Sequence, residues 1–198
     1  MRIQTQARGI LLAAGASVRF GHRKLLRPLA CGTPVGIAAA RNLLRGCGSA
    51  LAVVRPDDKD LAALLRAEGL EVIVAERASS GMGASLAAGV LAAPDANGWL
   101  IALADMPWIA QNTIRALISM LGHDAALAAP SYNGRRGHPV GFGRAFRDEL
   151  IKLTGDAGAR ALVRNNAGQL QLFACDDPGV LMDVDTPADL SAPRDVWN

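Results

Sequence analysis

The sequence predicts a three-layer α/β fold built on a mainly parallel sheet. Short apolar runs alternate with amphipathic stretches of helical period through the first half of the chain. Those runs are continuously apolar rather than alternating, as strands buried on both faces are. Length is the third observation: 198 residues, 51% of them hydrophobic, supply one good core and no sign of a second. One domain over residues 1–198 is expected, its βαβ crossovers covering both faces of the sheet.

The elements follow in order. Ile10 to Ala14 is the first strand, and it stops at Gly15. From Gly15 to Lys24 come small residues, two glycines and the cations Arg19, Arg23 and Lys24, a composition suited to wrapping an anion. The spacing is neither G-x-x-x-x-G-K-[ST], since Leu25 follows the lysine, nor G-x-G-x-x-G. A solvated basic turn is the plain alternative. Against it, arginines outnumber lysines eighteen to three, so a lysine at position 24 departs from the chain's own habit.

Pro34 begins a helix, VGIAAARNLLRGCG, with Gly46 and Gly48 as stop signals. Ala50 to Val54 is a strand ended by Arg55-Pro56, and an amphipathic helix with Leu61, Leu64 and Leu65 on one face follows. Leu70 to Ala75 is the next strand. After it, ERASSGMGASLAAGV leads into a helix at the carboxyl edge of the sheet, where open α/β folds bind ligands; a serine-capped glycine loop is the simpler reading.

Gly98 to Ala104 is the most continuous apolar run, a central strand ending in Asp105-Met106-Pro107. A carboxylate there is placed to hold a hard cation against phosphate oxygens, or else to cap the helix that follows. Ala125 to Pro130 is a strand, and Asn133-Gly134 signals a hairpin turn. An amphipathic helix over Arg144 to Leu153, a short one opened near Asp156, and a strand over Gln169 to Cys175 complete the series. In Asp183-Val184-Asp185-Thr186-Pro187 the two carboxylates project to the same side of an extended segment. Asp185 or Thr186 could equally cap a helix begun by Pro187.

Bulk composition narrows the partners. Charged residues make up 20% and the net charge is +3, without the contiguous cationic stripe that nucleic acid demands. The three cysteines are dispersed and odd in number, which predicts reduced thiols in the cytoplasm rather than disulfides or a zinc site. No run reaches the roughly 18 apolar residues of a membrane span, and the start has no signal-peptide core, so a soluble protein is expected. Trp99, Trp108 and Trp197 are expected to fill core space.

The string L-A-A-G-x-S-x-R-x-G-x-x-K, formed by Leu12, Ala13, Ala14, Gly15, Ser17, Arg19, Gly21 and Lys24, resembles the signature loop of the MobA-like nucleotidyltransferases. Within them it looks most like the molybdenum cofactor cytidylyltransferases, as does P-x-Y-x-G-x-R-G-H-P-V around His138. The resemblance implies a Rossmann-like, GT-A-like fold with a nucleotide-binding half over about 7–110 and an acceptor-binding half over about 111–198. It implies transfer of CMP from CTP to molybdopterin with release of pyrophosphate, and a molybdenum hydroxylase or its maturation chaperone as protein partner. Lys24, Arg19 and Asp105 become the implied catalytic residues, and Asp105 with Asp185 the ligands of Mg2+, with Asp183 the other candidate for the second acid. Leu12, Ala13, Ala14, Gly15, Ser17, Arg19 and Lys24, together with Ser80, Gly81, Met82, Gly83 and Ser85, become implied nucleotide contacts. Arg136, Gly137, His138 and Arg160 fall on the acceptor side. Guanylyltransferases of the group carry Gly-Gly where this chain has Ala14-Gly15, which points to cytosine. A sugar phosphate or methylerythritol phosphate remains an alternative acceptor, and a non-catalytic maturation factor an alternative role.

Overall fold

Strand β1 (Arg8–Leu12) lies within the parallel part of the sheet, paired in parallel with β2 (Ala50–Val54) on one side and β4 (Gly98–Leu103) on the other. The computed structural model describes residues 7–15, 23–122, 126–156 and 158–191. Outward from β2 comes β3 (Glu71–Val74), also parallel. Beyond β4 the direction reverses: β7 (Val140–Gly143) is antiparallel to both β4 and β5 (Leu127–Tyr132), and β8 (Leu170–Ala174) runs parallel to β5. β6 (Arg135–Arg136) folds back on the last two residues of β5 through the Asn133-Gly134 turn, both residues having positive φ as that hairpin turn requires. Among the described residues the sheet has eight strands, and it is mostly parallel as the sequence predicted.

Alternation along β1 explains its unbroken apolar run. Ile10, Leu12 and Ala14 belong to one buried cluster, with Leu86 and Val90 of α3 (Met82–Leu91), while Leu11 and Ala13 belong to the opposite one, with α1 (Val35–Cys47) and α4 (Gln111–Gly122). Both faces are covered from Ile10 to Ala14, so that run is apolar throughout, while Arg8 at the start of the strand is only partly buried and pairs with Glu71. Trp99 is fully buried with its indole N–H donated to the Ala93 carbonyl at 3.1 Å, and Trp108 is buried too; Trp197 lies outside the described residues.

Three element boundaries differ from the sequence reading. Gly46 does not stop α1: it sits inside the helix because a Cβ there would stand 2.4 Å from Ile114 of α4, so its small size is spent on helix–helix approach. The stop is Gly48, whose φ of +73° suits the left-handed cap. The expected helix over Arg144 to Leu153 reduces to a 3-10 turn, Arg144–Phe146, and the single turn α5 (Arg147–Leu150), with Arg144 tied back to the Pro94 and Ala96 carbonyls. The short helix α6 begins at Arg160, after Asp156 rather than at it. Between α1 and β3 stands α2 (Lys59–Ala67), burying Leu61 and Leu65 as predicted, with Leu64 exposed.

Candidate active site

Because β1, β2 and β4 are parallel, the residues that follow them emerge at one edge, and a cavity of about 460 Å3 opens there. Its floor is Leu12, Ala14 and Gly15, with Leu103 to Asp105 after β4. Lys24 and Arg55 contribute cations, and Gly81, Met82 and Ser85 at the start of α3 close another side. Ala13 faces away, in the other core cluster, and its N–H is already donated to the Val53 carbonyl. Ser80 is exposed and does not line the cavity; Ser17 and Arg19 lie outside the described residues.

The 3-10 turn Lys24–Leu26 buries Lys24 to 7% exposure and delivers its ammonium 2.8 Å from Asp105 Oδ2 and 3.7 Å from Asp185 Oδ1. Asp105, Asp183 and Asp185 each bring a carboxylate oxygen within 4.8 Å of the others. Alternation does this: Val184, fully buried between the two acids, donates its N–H to the Asp105 carbonyl at 2.8 Å, and its neighbours point the other way. The local capping role falls to Asp189, whose Oδ2 accepts from the Asp185 and Thr186 amides and from the Thr186 hydroxyl. Burial first, then the Asp185 and Asp105 carboxylates, push the Asp183 pKa up, as expected of like charges gathered at one point. Three carboxylate oxygens converging at this spacing form a hard, all-oxygen donor set that suits a divalent cation such as Mg2+ or Mn2+.

Gly81 and Gly83 have a packing role that the sequence did not reveal. A Cβ on Gly83 would meet the Thr154 backbone at 2.7 Å, and one on Gly81 the Gly155 carbonyl carbon at 2.3 Å. The loop 154–156 thus rests directly on the start of α3, held by Gly83 N–H to Gly155 O at 2.8 Å and Gly155 N–H to Ser80 O at 3.0 Å. Ser85, buried to 2% exposure, reaches the cavity from the next turn.

On the other flank, Gly137 lies against Val180, and His138 donates its backbone N–H to the Val180 carbonyl. The His138 imidazole is half-buried, with Nδ1 sealed from solvent and unpartnered; burial, then the Arg136 guanidinium, holds its pKa below the ordinary imidazole value, with Asp105 pulling the other way and Arg160 adding to the depression. Arg136, His138 and Arg160 therefore share one electrostatic neighbourhood with Asp105 while lying off the cavity wall.

Arg55, Asp156 and Asp177 escaped the sequence reading, and Asp156, read as a helix-start residue, lines the cavity. Arg55, taken only as the end of a strand, lines the cavity at the end of β2. Asp177, 8% exposed, accepts from Ala110 N–H at 2.8 Å, Thr113 Oγ1–H at 2.7 Å and Gly179 N–H at 3.0 Å. It pins the start of α4 to the segment that carries Asp183 and Asp185. An aspartate immediately before Pro178-Gly179 was the available signal.

A parallel sheet edge bearing a cavity, a buried lysine and converging acids defines an α/β protein of the nucleotide-handling class. The pattern of the MobA-like NTP transferase domain matches residues 9–171, and the chain belongs to that family. It is 36% identical over 186 residues to nicotine blue oxidoreductase of Paenarthrobacter nicotinovorans, covering 90% of this chain and 91% of that one. It is 31% identical over 199 residues to the purine catabolism protein PucB of Bacillus subtilis, covering 94% and 95%. Among solved structures, Rv0371c of Mycobacterium tuberculosis in complex with manganese superposes with a TM-score of 0.77 at 29% identity, covering 93% of this chain and 96% of that one. Among the described residues no helix is long and apolar enough to cross a membrane.

Proposed function

We propose that this nucleotidyltransferase transfers CMP from CTP to molybdopterin. The observation that carries the reading is the convergence of Lys24 with Asp105, Asp183 and Asp185, the first two lining a cavity whose wall includes the small residues Ala14, Gly15 and Gly81. A phosphate oxygen of the acceptor attacks the α-phosphorus, the bond from that phosphorus to the bridging oxygen breaks, and pyrophosphate leaves with the electron pair. The nucleophile is already an anion, so no general base is required. Positioning and charge neutralisation are what the protein must supply.

Asp105, Asp185 and Asp183 would hold Mg2+, which would neutralise charge on the phosphates. Lys24 turns from Asp105 to the leaving pyrophosphate, a small movement for an ammonium already 2.8 Å from the acid cluster. Ala14, Gly15, Gly81, Met82 and Ser85 form the nucleoside wall. Arg136 and Arg160 supply the cations, and His138 a neutral imidazole, on the acceptor's approach beside Asp105. This divides the work between the half over about 7–110 and the half over about 111–198. A molybdenum hydroxylase or its maturation chaperone would receive the product.

Pyrophosphate release measured with four nucleoside triphosphates, each against molybdopterin, a sugar phosphate and methylerythritol phosphate, tests the assignment. Release with CTP and molybdopterin alone is the expected result; release with another pair reassigns the substrates. A second reading rests on the 36% identity to a protein named an oxidoreductase. Oxidation of NADH or NADPH by a dye in place of pyrophosphate release would favour it, although the segment after β1 has no G-x-G-x-x-G spacing.

A further inference from the structure

Four charged side chains line the cavity among the described residues, and two of them, Lys24 and Asp105, are paired with each other. Arg55 and Asp156 are the others. Arg55 follows β2 and Asp105 follows β4, on opposite flanks of β1, so the cavity spans the end of the central strand from the acid cluster to the β2 side.

Asp156 enters from neither flank. It is carried by the loop that lies on α3, with its Oδ1 only 2.6 Å from the point a Gly81 Cβ would occupy. The loop's two backbone hydrogen bonds to Ser80 and Gly83 fix it there. Capping α3 would be the simple explanation of a carboxylate at that helix start, but among the described residues the loop's hydrogen bonds to this region, Gly83 N–H to Gly155 O and Gly155 N–H to Ser80 O, are made by its backbone. Asp156 is not among the three acids whose oxygens converge as a cation site, so its carboxylate would repel the phosphates and suits the part of the ligand that carries hydrogen-bond donors. In a nucleoside triphosphate those donors are the exocyclic amine of the base and the ribose hydroxyls.

We propose that Asp156 determines nucleotide specificity by accepting a hydrogen bond from the nucleoside, from the base amine or from a ribose hydroxyl. This rests on the nucleotidyltransferase reading. It also gives the loop 154–156 a function beyond connecting α5 to α6: one backbone contact with Gly81 and Gly83 both seats the loop and sets the carboxylate beside the nucleoside wall.

Calorimetric binding of CTP, UTP, 2′-deoxy-CTP and 3′-deoxy-CTP with Mn2+ and no acceptor tests it, using the wild type and Asp156→Asn. The wild type should bind CTP at least about tenfold more tightly than the analogue lacking the donor, because a site built around a hydrogen bond rejects ligands that cannot make it. In Asp156→Asn that ratio should fall to about threefold or less, since the amide is close to isosteric but its single uncharged oxygen is a weaker acceptor than the carboxylate. Collapse of the CTP-to-UTP ratio identifies the amine, and collapse of a CTP-to-deoxy-CTP ratio identifies the hydroxyl. Ratios near one in the wild type, or unchanged in the variant, overturn the proposal alone. A wild type that binds none of these nucleotides overturns it together with the reading beneath it. Asp156 is exposed, so the variant should melt with the wild type, and a large drop in melting temperature with unchanged ratios would mark a purely structural residue.

Discussion

Lys24 and Asp105, 81 positions apart in the chain, meet at 2.8 Å with the lysine almost wholly buried. The ammonium partly compensates the repulsion among Asp105, Asp183 and Asp185, and it occupies an oxygen that a divalent cation would use. Lysine and metal therefore compete for Asp105. Replacing Lys24 by Met keeps most of the stem's packing and removes the competitor. Lys24→Met should lower turnover by two or more orders of magnitude, a cost of about 3 kcal/mol, through loss of a contact to the leaving pyrophosphate. The same variant should bind Mn2+ more tightly than the wild type. Turnover within about twofold of the wild type, or weaker metal binding, contradicts this account.

The acids should separate by role. Asp105→Asn and Asp185→Asn are near-isosteric and should each abolish activity with the fold intact, and excess EDTA should do the same to the wild type. Asp183→Asn should weaken metal binding as well, yet raise the melting temperature of the metal-free protein, because it removes one of three crowded charges. A lower melting temperature for Asp183→Asn in EDTA would contradict the burial and like-charge repulsion that together push its pKa up.

Much of this was legible in the sequence because strands and their ends have simple rules. Buried parallel strands read as continuous apolar runs, so β1, β2 and β4 were found, and with them the edge where Asp105 emerges. The Asp183 and Asp185 pairing followed from a period of two. What stayed hidden depends on neighbours distant in the chain. Gly46 looks like a helix stop until Ile114 lies against it, and Gly83 like a ligand contact until the Thr154 backbone fills the space beside it. Asp156 looked like a helix-start residue for the same reason: nothing local says that its loop crosses to α3.

Asp177 is predicted to act on the metal site from a distance. Its carboxylate satisfies three donors from two elements, and Gly179 behind it lies against the Trp108 carbonyl, so the stretch that ends in Asp183 and Asp185 is anchored here. Asp177→Ala leaves those donors short of a buried partner, which should cost about 3 kcal/mol of stability by denaturant unfolding in EDTA. Asp177→Asn keeps one acceptor oxygen and should fold, with Mn2+ affinity reduced about tenfold through misplaced ligands. Stability lost without any change in metal affinity would confine Asp177 to a structural role.

Base choice is predicted to turn on a single methyl. Ala14 follows β1 on the α3 side of the sheet, 8% exposed and lining the cavity opposite Gly81 and Ser85, while Ala13 points into the other core cluster. Of the two alanines in the loop, only the second adds bulk to the cavity wall. A purine needs more room there than a pyrimidine, and the Ala14 methyl takes up what a glycine would leave. The wild type should therefore prefer CTP to GTP by about one to three orders of magnitude in kcat/KM, and Ala14→Gly should narrow that gap mainly by improving the use of GTP. One methyl in a pocket decides about 1 to 3 kcal/mol, so the variant should not reverse the preference. Glycine also loosens the backbone between β1 and the loop, which would lower the rate with both nucleotides; the ratio, not the rate, is the quantity to compare. Efficiency with CTP, GTP, ATP and UTP on one acceptor settles the matter: equal use of CTP and GTP by the wild type removes the preference for cytosine and leaves nucleotidyl transfer as the assignment.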